Sequence, residues 1–250
     1  MPEIKSTLKQ CCLAAAVLCI LPLTTPRLYG QYVGTFHVVP VVADGTLSDG
    51  TAYQTRFFIN RSQIGTGPID CTVNLYGLAN SRLPASSISL GSSYGVLIWT
   101  LATEQFASGY AAINCTASVT VNTMYRFSKA DGTLLSMATV FSQGPLVQGA
   151  LTAIQSLPNT RIGIALANPS QNRVTYSLST CGVLCGGPNK NFTIEPGQNA
   201  AHFLDEIFPV VSGPGQAVTV QLFAPGLYVT GLLFDGTVFT TVPVTIFSRP

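Results

Sequence analysis

Two phrases of this chain come back about a hundred residues later. Asn60-Arg61-Ser62-Gln63 returns as Asn168-Pro169-Ser170-Gln171, and Asp131-Gly132-Thr133-Leu134-Leu135-Ser136 returns as Asp235-Gly236-Thr237-Val238-Phe239-Thr240. Each copy sets an apolar run before its Asn-x-Ser-Gln, Phe57-Phe58-Ile59 in the first and Ile164-Ala165-Leu166-Ala167 in the second. A second run follows in both, Cys71-Thr72-Val73-Asn74-Leu75 and Val174-Thr175-Tyr176-Ser177-Leu178. Farther on, Ser87-Ile88-Ser89-Leu90-Gly91 matches Thr193-Ile194-Glu195-Pro196-Gly197, and Thr103-Glu104-Gln105-Phe106 matches Asp205-Glu206-Ile207-Phe208. The spacing between anchors varies by a few residues, as insertions in surface turns would allow, because closure entropy grows slowly with loop length. The repeat therefore favours two modest cores over one large one.

The local pattern is β almost throughout. Runs such as Tyr110 to Cys115, Ser118 to Phe127 and Ala217 to Phe223 are rich in Val, Thr and aromatic residues. Asp-Gly-Thr occurs at Asp44, Asp49, Asp131 and Asp235, and Asp-Gly between apolar runs favours a hairpin because glycine accepts positive φ. Pro-Gly marks further corners at Pro196, Pro214 and Pro225. Helical signals are limited to the turn Leu204 to Phe208 and a weaker echo near Leu101 to Phe106. The expected fold class is all-β: two tandem antiparallel β-sandwich modules of immunoglobulin-like or Greek-key type, at 31–145 and 146–250. A single long barrel or jelly roll is the alternative.

Residues 1–30 read as a secretory signal peptide. Lys5 and Lys9 precede an apolar run from Cys11 to Leu23, about 13 residues against the roughly 20 needed to span a bilayer, so no stable membrane span is expected after cleavage. Cleavage is placed after Leu28-Tyr29-Gly30, and the residues before Cys19 do not suit a lipoprotein signal. Removing residues 1–30 takes away Lys5, Lys9, Arg27 and Glu3 and leaves nine basic and nine acidic side chains. The mature chain is then neutral, which argues against a nucleic-acid partner.

Cysteine use agrees with export. Three of seven cysteines lie in the leader, and an even set of four remains at Cys71, Cys115, Cys181 and Cys185. Four cysteines allow three pairings; the duplication separates Cys71 with Cys115 from Cys181 with Cys185, and these are the disulfides expected. In the repeat alignment Cys71 and Cys115 fall opposite Val174 and Leu222, both apolar. A zinc site is the competing reading, but no CxxC pair exists and His37 and His202 are remote.

Three longer phrases carry a resemblance: Ile162 to Ser170, Ala201 to Pro209 and Thr237 to Val244. With Val39-Pro40-Val41-Val42-Ala43-Asp44-Gly45 opening the first module, the chain resembles an uncharacterised family of secreted bacterial tandem β-repeat proteins. The first module departs from the pattern by having Arg61 where proline is usual and by carrying a cysteine pair. The resemblance implies fold and export and transfers no catalytic residue, cofactor or binding site.

Candidate chemistry must come from the residues. Gly91-Ser92-Ser93-Tyr94-Gly95 fits the nucleophile-elbow pattern, with Asp131 and His202 following in hydrolase order, so a secreted hydrolase using Ser93 and His202 is a minor alternative. That motif needs a strained strand-to-helix turn in an α/β sheet, and here β residues follow, so a polar hairpin loop is the plainer reading. Asp44, Asp49, Asp131 and Asp235 read as turn carboxylates, with calcium at the Asp44 to Asp49 loop as a lesser option that lacks recognised ligand spacing. Asp205-Glu206 would favour a helix dipole, Asn60 and Asn168 would cap turns, and Trp99 in Val96-Leu97-Ile98-Trp99 reads as core. Exposed tyrosines such as Tyr53 or Tyr94 could contact a glycan. The reading reached is a secreted, non-catalytic protein with a binding, adhesive or structural role, needing no cofactor or metal. Its partner would be a cell-surface protein or polysaccharide, a carbohydrate-binding module being the leading alternative.

Overall fold

The computed structural model describes residues 31–63, 67–155, 159–181, 185–209, 216–236 and 238–246. The expected leader at 1–30 lies outside them. The first half supplies β1 (Val33–Thr46), β2 (Ala52–Arg61), β3 (Asp70–Tyr76), β4 (Ser87–Ser89), β5 (Gly95–Trp99), β6 (Ala107–Ser128) and β7 (Leu134–Phe141). The second supplies β8 (Leu146–Gln155), β9 (Thr160–Ala167), β10 (Val174–Cys181), β11 (Cys185–Ile194), β12 (Asn199–Phe203), β13 (Gln216–Asp235), β14 (Val238–Val242) and β15 (Val244–Ile246). The one α-helix among the described residues, α1, is Leu204–Ile207, and a 3-10 turn occupies Asn80–Arg82. The echo near Leu101 to Phe106 forms no helix; that segment is irregular and is held by side chains described below.

All pairings between these strands are antiparallel, in a seven-stranded and an eight-stranded sheet, so the fold is an all-β sandwich as the pattern predicts. Each sheet folds over on one long strand. Along one edge β6 pairs with β1 as far as Thr120 and then with β7 from Asn122; along the other it pairs with β3 as far as Cys115 and then with β2 from Val119. The two layers thus produced face each other across one core, in which Val73, Ala111 and Ile113 meet Phe57, Ile59 and Val121. In the second half β13 does the same, pairing first with β8 and β10 and then with β9 and β14. Its bend falls at Pro225-Gly226, inside a register shift between Phe223 and Leu227. Proline has no N–H for the ladder and Gly226 takes φ +79°, so the corner signal is used within a strand.

Six pairings recur in the same order in the two halves: β1–β6 with β8–β13, β2–β5 with β9–β12, β2–β6 with β9–β13, β3–β4 with β10–β11, β3–β6 with β10–β13, and β6–β7 with β13–β14. The equivalence departs from the sequence alignment at one anchor: Leu222 pairs with Leu178, not with Val174. Cys71 and Cys115 are directly opposed on β3 and β6, with Cα atoms 4.1 Å apart, and form a disulfide at the rim of the first core. The second expected bridge joins side chains that lie outside the described residues; the backbone pairs Cys181 with Cys185.

Residues 31–250 form one compact unit, and β9 explains how. Its run Ile162-Gly163-Ile164-Ala165-Leu166-Ala167 is buried on both faces. The branched residues Ile162, Ile164 and Leu166 enter the second core, while the small Gly163, Ala165 and Ala167 point the other way and admit close neighbours. Across that seam Val38, Tyr110 and Phe36 pack with Ala167 and Tyr228, and Tyr125, Ala138 and Val140 pack with Leu232 and Phe239.

Replacing both Cys71 and Cys115 with serine should lower unfolding free energy by roughly 4 kcal/mol, from chain entropy over the 44-residue separation. Equilibrium urea unfolding measures this, and an unchanged midpoint would show that the bridge adds nothing.

Candidate functional site

The first-half loops are fastened by an ion pair that the sequence reading did not foresee. Asp44, read as a turn carboxylate, is buried and accepts a hydrogen bond from Arg82 Nη1 at 3.1 Å and one from the Ala102 N–H at 3.0 Å. Arg82 is itself buried; it also donates to the carbonyls of Asp44 and Gln105 and pairs with Glu104 at 3.0 Å. With its carboxylate committed to a guanidinium, Asp44 does not form the calcium loop considered with Asp49. Among the described residues no three His, Cys, Asp or Glu side chains gather as a metal site. Asp49 and Asp131 do act as turn residues, each accepting from the N–H of the threonine two positions on, at 2.9 and 2.8 Å. The Thr51 hydroxyl, donating to Asp49 at 2.6 Å, and then the Thr51 N–H hold that carboxyl below its ordinary range, and the Thr133 N–H does the same for Asp131.

Ser93 and His202 do not meet. Ser93 lies in the turn before β5, where its carbonyl accepts from Arg61. His202 stands on β12 of the other sheet, with Nε2 2.6 Å from the Tyr176 hydroxyl and its ring 4.9 Å from Phe192. Burial pushes the Tyr176 phenol up to about 12, so the partner of His202 is a neutral hydroxyl. The serine-histidine contact that does form is His37 with Ser142, 105 residues apart. His37 Nε2 is 3.0 Å from the Gly34 carbonyl, which can only accept, so Nδ1 is left to receive the Ser142 hydroxyl at 2.9 Å. Both side chains are buried, and the pair fastens β1 to the segment after β7.

The two repeated asparagines differ. Asn168 is fully buried; its amide donates to the carbonyls of Asn172, Ile194 and Glu195, and its oxygen accepts from Ser170. Asn60 sits within β2, and its side chain lies over Gly95 of β5. Asp205 and Glu206 act less on the one-turn α1 than on Arg161, which pairs with them at 2.9 and 2.6 Å and lies over the Phe203 ring at 3.7 Å. Tyr94 is exposed, but Tyr53 is half-buried and stacked on Phe127 at 4.4 Å.

Trp99 is not core: it is 41% exposed. The apolar run Val96 to Trp99 conceals a strand period of two, in which Ile98 enters the core and Leu97 and Trp99 face outward. Register carries that face across four strands. One row is Leu97, Phe58, Asn122 and Phe141; the next is Trp99, Arg56, Met124 and Thr139. A third pairs Gln54 with Arg126 and Met137. Phe141 and Met137 are more than half exposed. The only charges in these rows are Arg56, which donates to Gln54, and Arg126. An apolar surface of this kind, crossed by amide and guanidinium donors, is what a recognition surface needs.

No protein-family model matches the chain, and no curated protein matches it. Among solved structures, an anti-sigma factor domain-containing protein aligns over 86% of this chain and 83% of its own, at 8% identity and a TM-score of 0.18, a likeness too slight to bear on fold or function. Among the described residues no helix is long and apolar enough to cross a membrane.

Replacing Arg82 with leucine strands the buried Asp44 carboxylate and should cost about 3–5 kcal/mol of unfolding free energy, whereas the exposed Arg173 to alanine should cost under about 1. Denaturant titration of the two variants separates these outcomes. Acid acts through the histidines. Burial lowers the pKa of His37 and of His202 below 6.5, so the unfolded chain binds more protons below that value. Stability should be full above pH 6.5 and fall as pH drops through the lowered folded-state values. Substituting His37 with glutamine should flatten part of that fall, and an unfolding free energy constant from about pH 7 to pH 5 would contradict the assignment.

Proposed function

We propose that this protein is exported and works outside the cytoplasm as a non-catalytic recognition protein, binding through the outward face of β5, β2, β6 and β7. The observation that carries the reading is the alignment of Leu97, Trp99, Phe141 and Met137, with the half-buried Phe58 among them, on one side of one layer, the first four exposed where solubility alone would favour polar residues. Burying them against a partner releases water from apolar area, and Arg56, Gln54 and Asn122 among them supply directional contacts. Export is supported by the leader-like first 30 residues and by the Cys71–Cys115 bridge, which persists in a non-reducing compartment. The six shared strand pairings support descent of both halves from one copied module, in keeping with the resemblance to secreted bacterial β-repeat proteins.

A carbohydrate-binding role is the second reading, favoured by Trp99 itself. Its indole is exposed on an edge strand directly opposite Arg56, an arrangement in which a sugar ring can stack on the aromatic face while its hydroxyls meet the guanidinium and the Gln54 amide. The partner is then a cell-surface polysaccharide, and otherwise a cell-surface protein.

The test is a binding screen of the purified protein against immobilised polysaccharides and cell-surface proteins, repeated with Trp99→Ala. Saturable binding that the substitution weakens at least about tenfold, equal to 1.4 kcal/mol, supports recognition through this face. Hydrolysis of an ester or glycoside that is lost in Ser93→Ala, without saturable binding, would overturn the non-catalytic reading.

A further inference from the structure

The seam between the halves carries a pocket of about 190 Å³, partly open to solvent, that none of the contacts described above fills. Its first-half wall is built from Val41 and Ala43 of β1, Tyr53 of β2 and Tyr125 of β6; Leu232, Phe234 and Phe239 close it from the second half. Phe106 and Ser108, both exposed, stand at its mouth.

Protein interiors rarely keep voids larger than a water molecule, because side chains relax into them. Here the walls are held back. The Tyr125 hydroxyl donates to the Val41 carbonyl at 2.6 Å, which fixes the ring. Phe239 lies between Tyr125 and Phe234, at ring distances of 5.7 and 5.4 Å. Tyr53 is stacked on Phe127 and tilted against Phe106 at 5.6 Å. Tyr53 is anchored by Phe127 and Phe234 by Phe203, both outside the void, Tyr125 is fixed by its hydrogen bond, and Phe239 is wedged between Tyr125 and Phe234, so the space is preformed and does not depend on an occupant to open it.

The lining also limits what can enter. It holds no charged side chain, and the Tyr125 hydroxyl is already spent on Val41. The remaining polar groups on the wall are the Tyr53 and Ser108 hydroxyls. A charged ligand would lose its hydration here without a counter-charge, whereas aromatic rings offer edge and face contacts to another ring. Size agrees, since an apolar cavity of about 150 Å³ already accommodates benzene.

We propose that this seam cavity is a binding site for one small, uncharged aromatic molecule, a single ring of about seven to ten non-hydrogen atoms, entering past Phe106 and Ser108. The site is independent of the outward face bearing Trp99. Because its walls come from both halves, an occupant bridges them and stabilises their contact by binding the folded state alone.

The test is an NMR titration of the purified protein with toluene, p-cresol and 4-methylbenzoate. Toluene and p-cresol should saturate at one per chain, with 4-methylbenzoate at least tenfold weaker. Ala43→Phe, which fills the space, should weaken p-cresol at least tenfold. Phe106→Ala, at an exposed position that the fold tolerates, should weaken it at least fivefold, and it decides the matter should Ala43→Phe fail to fold. Trp99→Ala should leave the affinity unchanged. Absence of saturation by both neutral probes, equal affinity for the carboxylate, or indifference to Phe106→Ala would each overturn the proposal.

Discussion

The molecule depends on two long strands that each serve two layers. A strand hydrogen-bonds along both edges, so β6, by changing partners on each edge along its length, joins β1 and β3 to β2 and β7 in a single ladder. β13 imposes the same economy on the second half, with its bend assigned to Pro225-Gly226. Once a strand is shared in this way, the two layers of a half cannot separate without breaking the ladder, and the apolar residues on their inner faces must meet. The cross-strand disulfide sits on this same element, joining β6 to β3.

The second constraint is the seam. Stacking one sandwich on another requires a sheet that is apolar on both sides, and β9 meets it by alternating branched residues toward its own core with Gly163, Ala165 and Ala167 toward the neighbour. Several buried polar groups near such surfaces are satisfied, as in the Asp44–Arg82 pair, the His37–Ser142 contact and the five side-chain bonds of Asn168. The same stacking brings aromatic rings from β2, β6, β13 and β14 around a space they cannot collapse into. The outward apolar face of β5, β2, β6 and β7 and the seam cavity thus arise from different faces of one architecture.

Much of this was legible residue by residue. Alternation of Val, Thr and aromatics, Asp-Gly-Thr turns and the recurring phrases point to antiparallel strands, and the Leu204 turn is where α1 forms. Asp49 and Asp131 behave as turn residues because their bonds run to a threonine two positions away, within reach of sequence reasoning. Asp44 carries the same local signature and does something else, because its partner Arg82 lies 38 residues on and only the folded chain brings them together. Trp99 departs from the core placement that its apolar run suggests for a related reason: a continuous apolar run does not announce that its strand lies at an edge with one face open.

Local periodicity and turn chemistry, written in the order of residues, determined the strand-rich class, since it follows from side chains within a few positions of each other. Which strands share a layer, which apolar face stays open, where Asp44 finds its cation and what space remains at the seam were decided only by tertiary packing. Those outcomes turn on contacts between residues far apart in the chain, and no short stretch of sequence contains both partners.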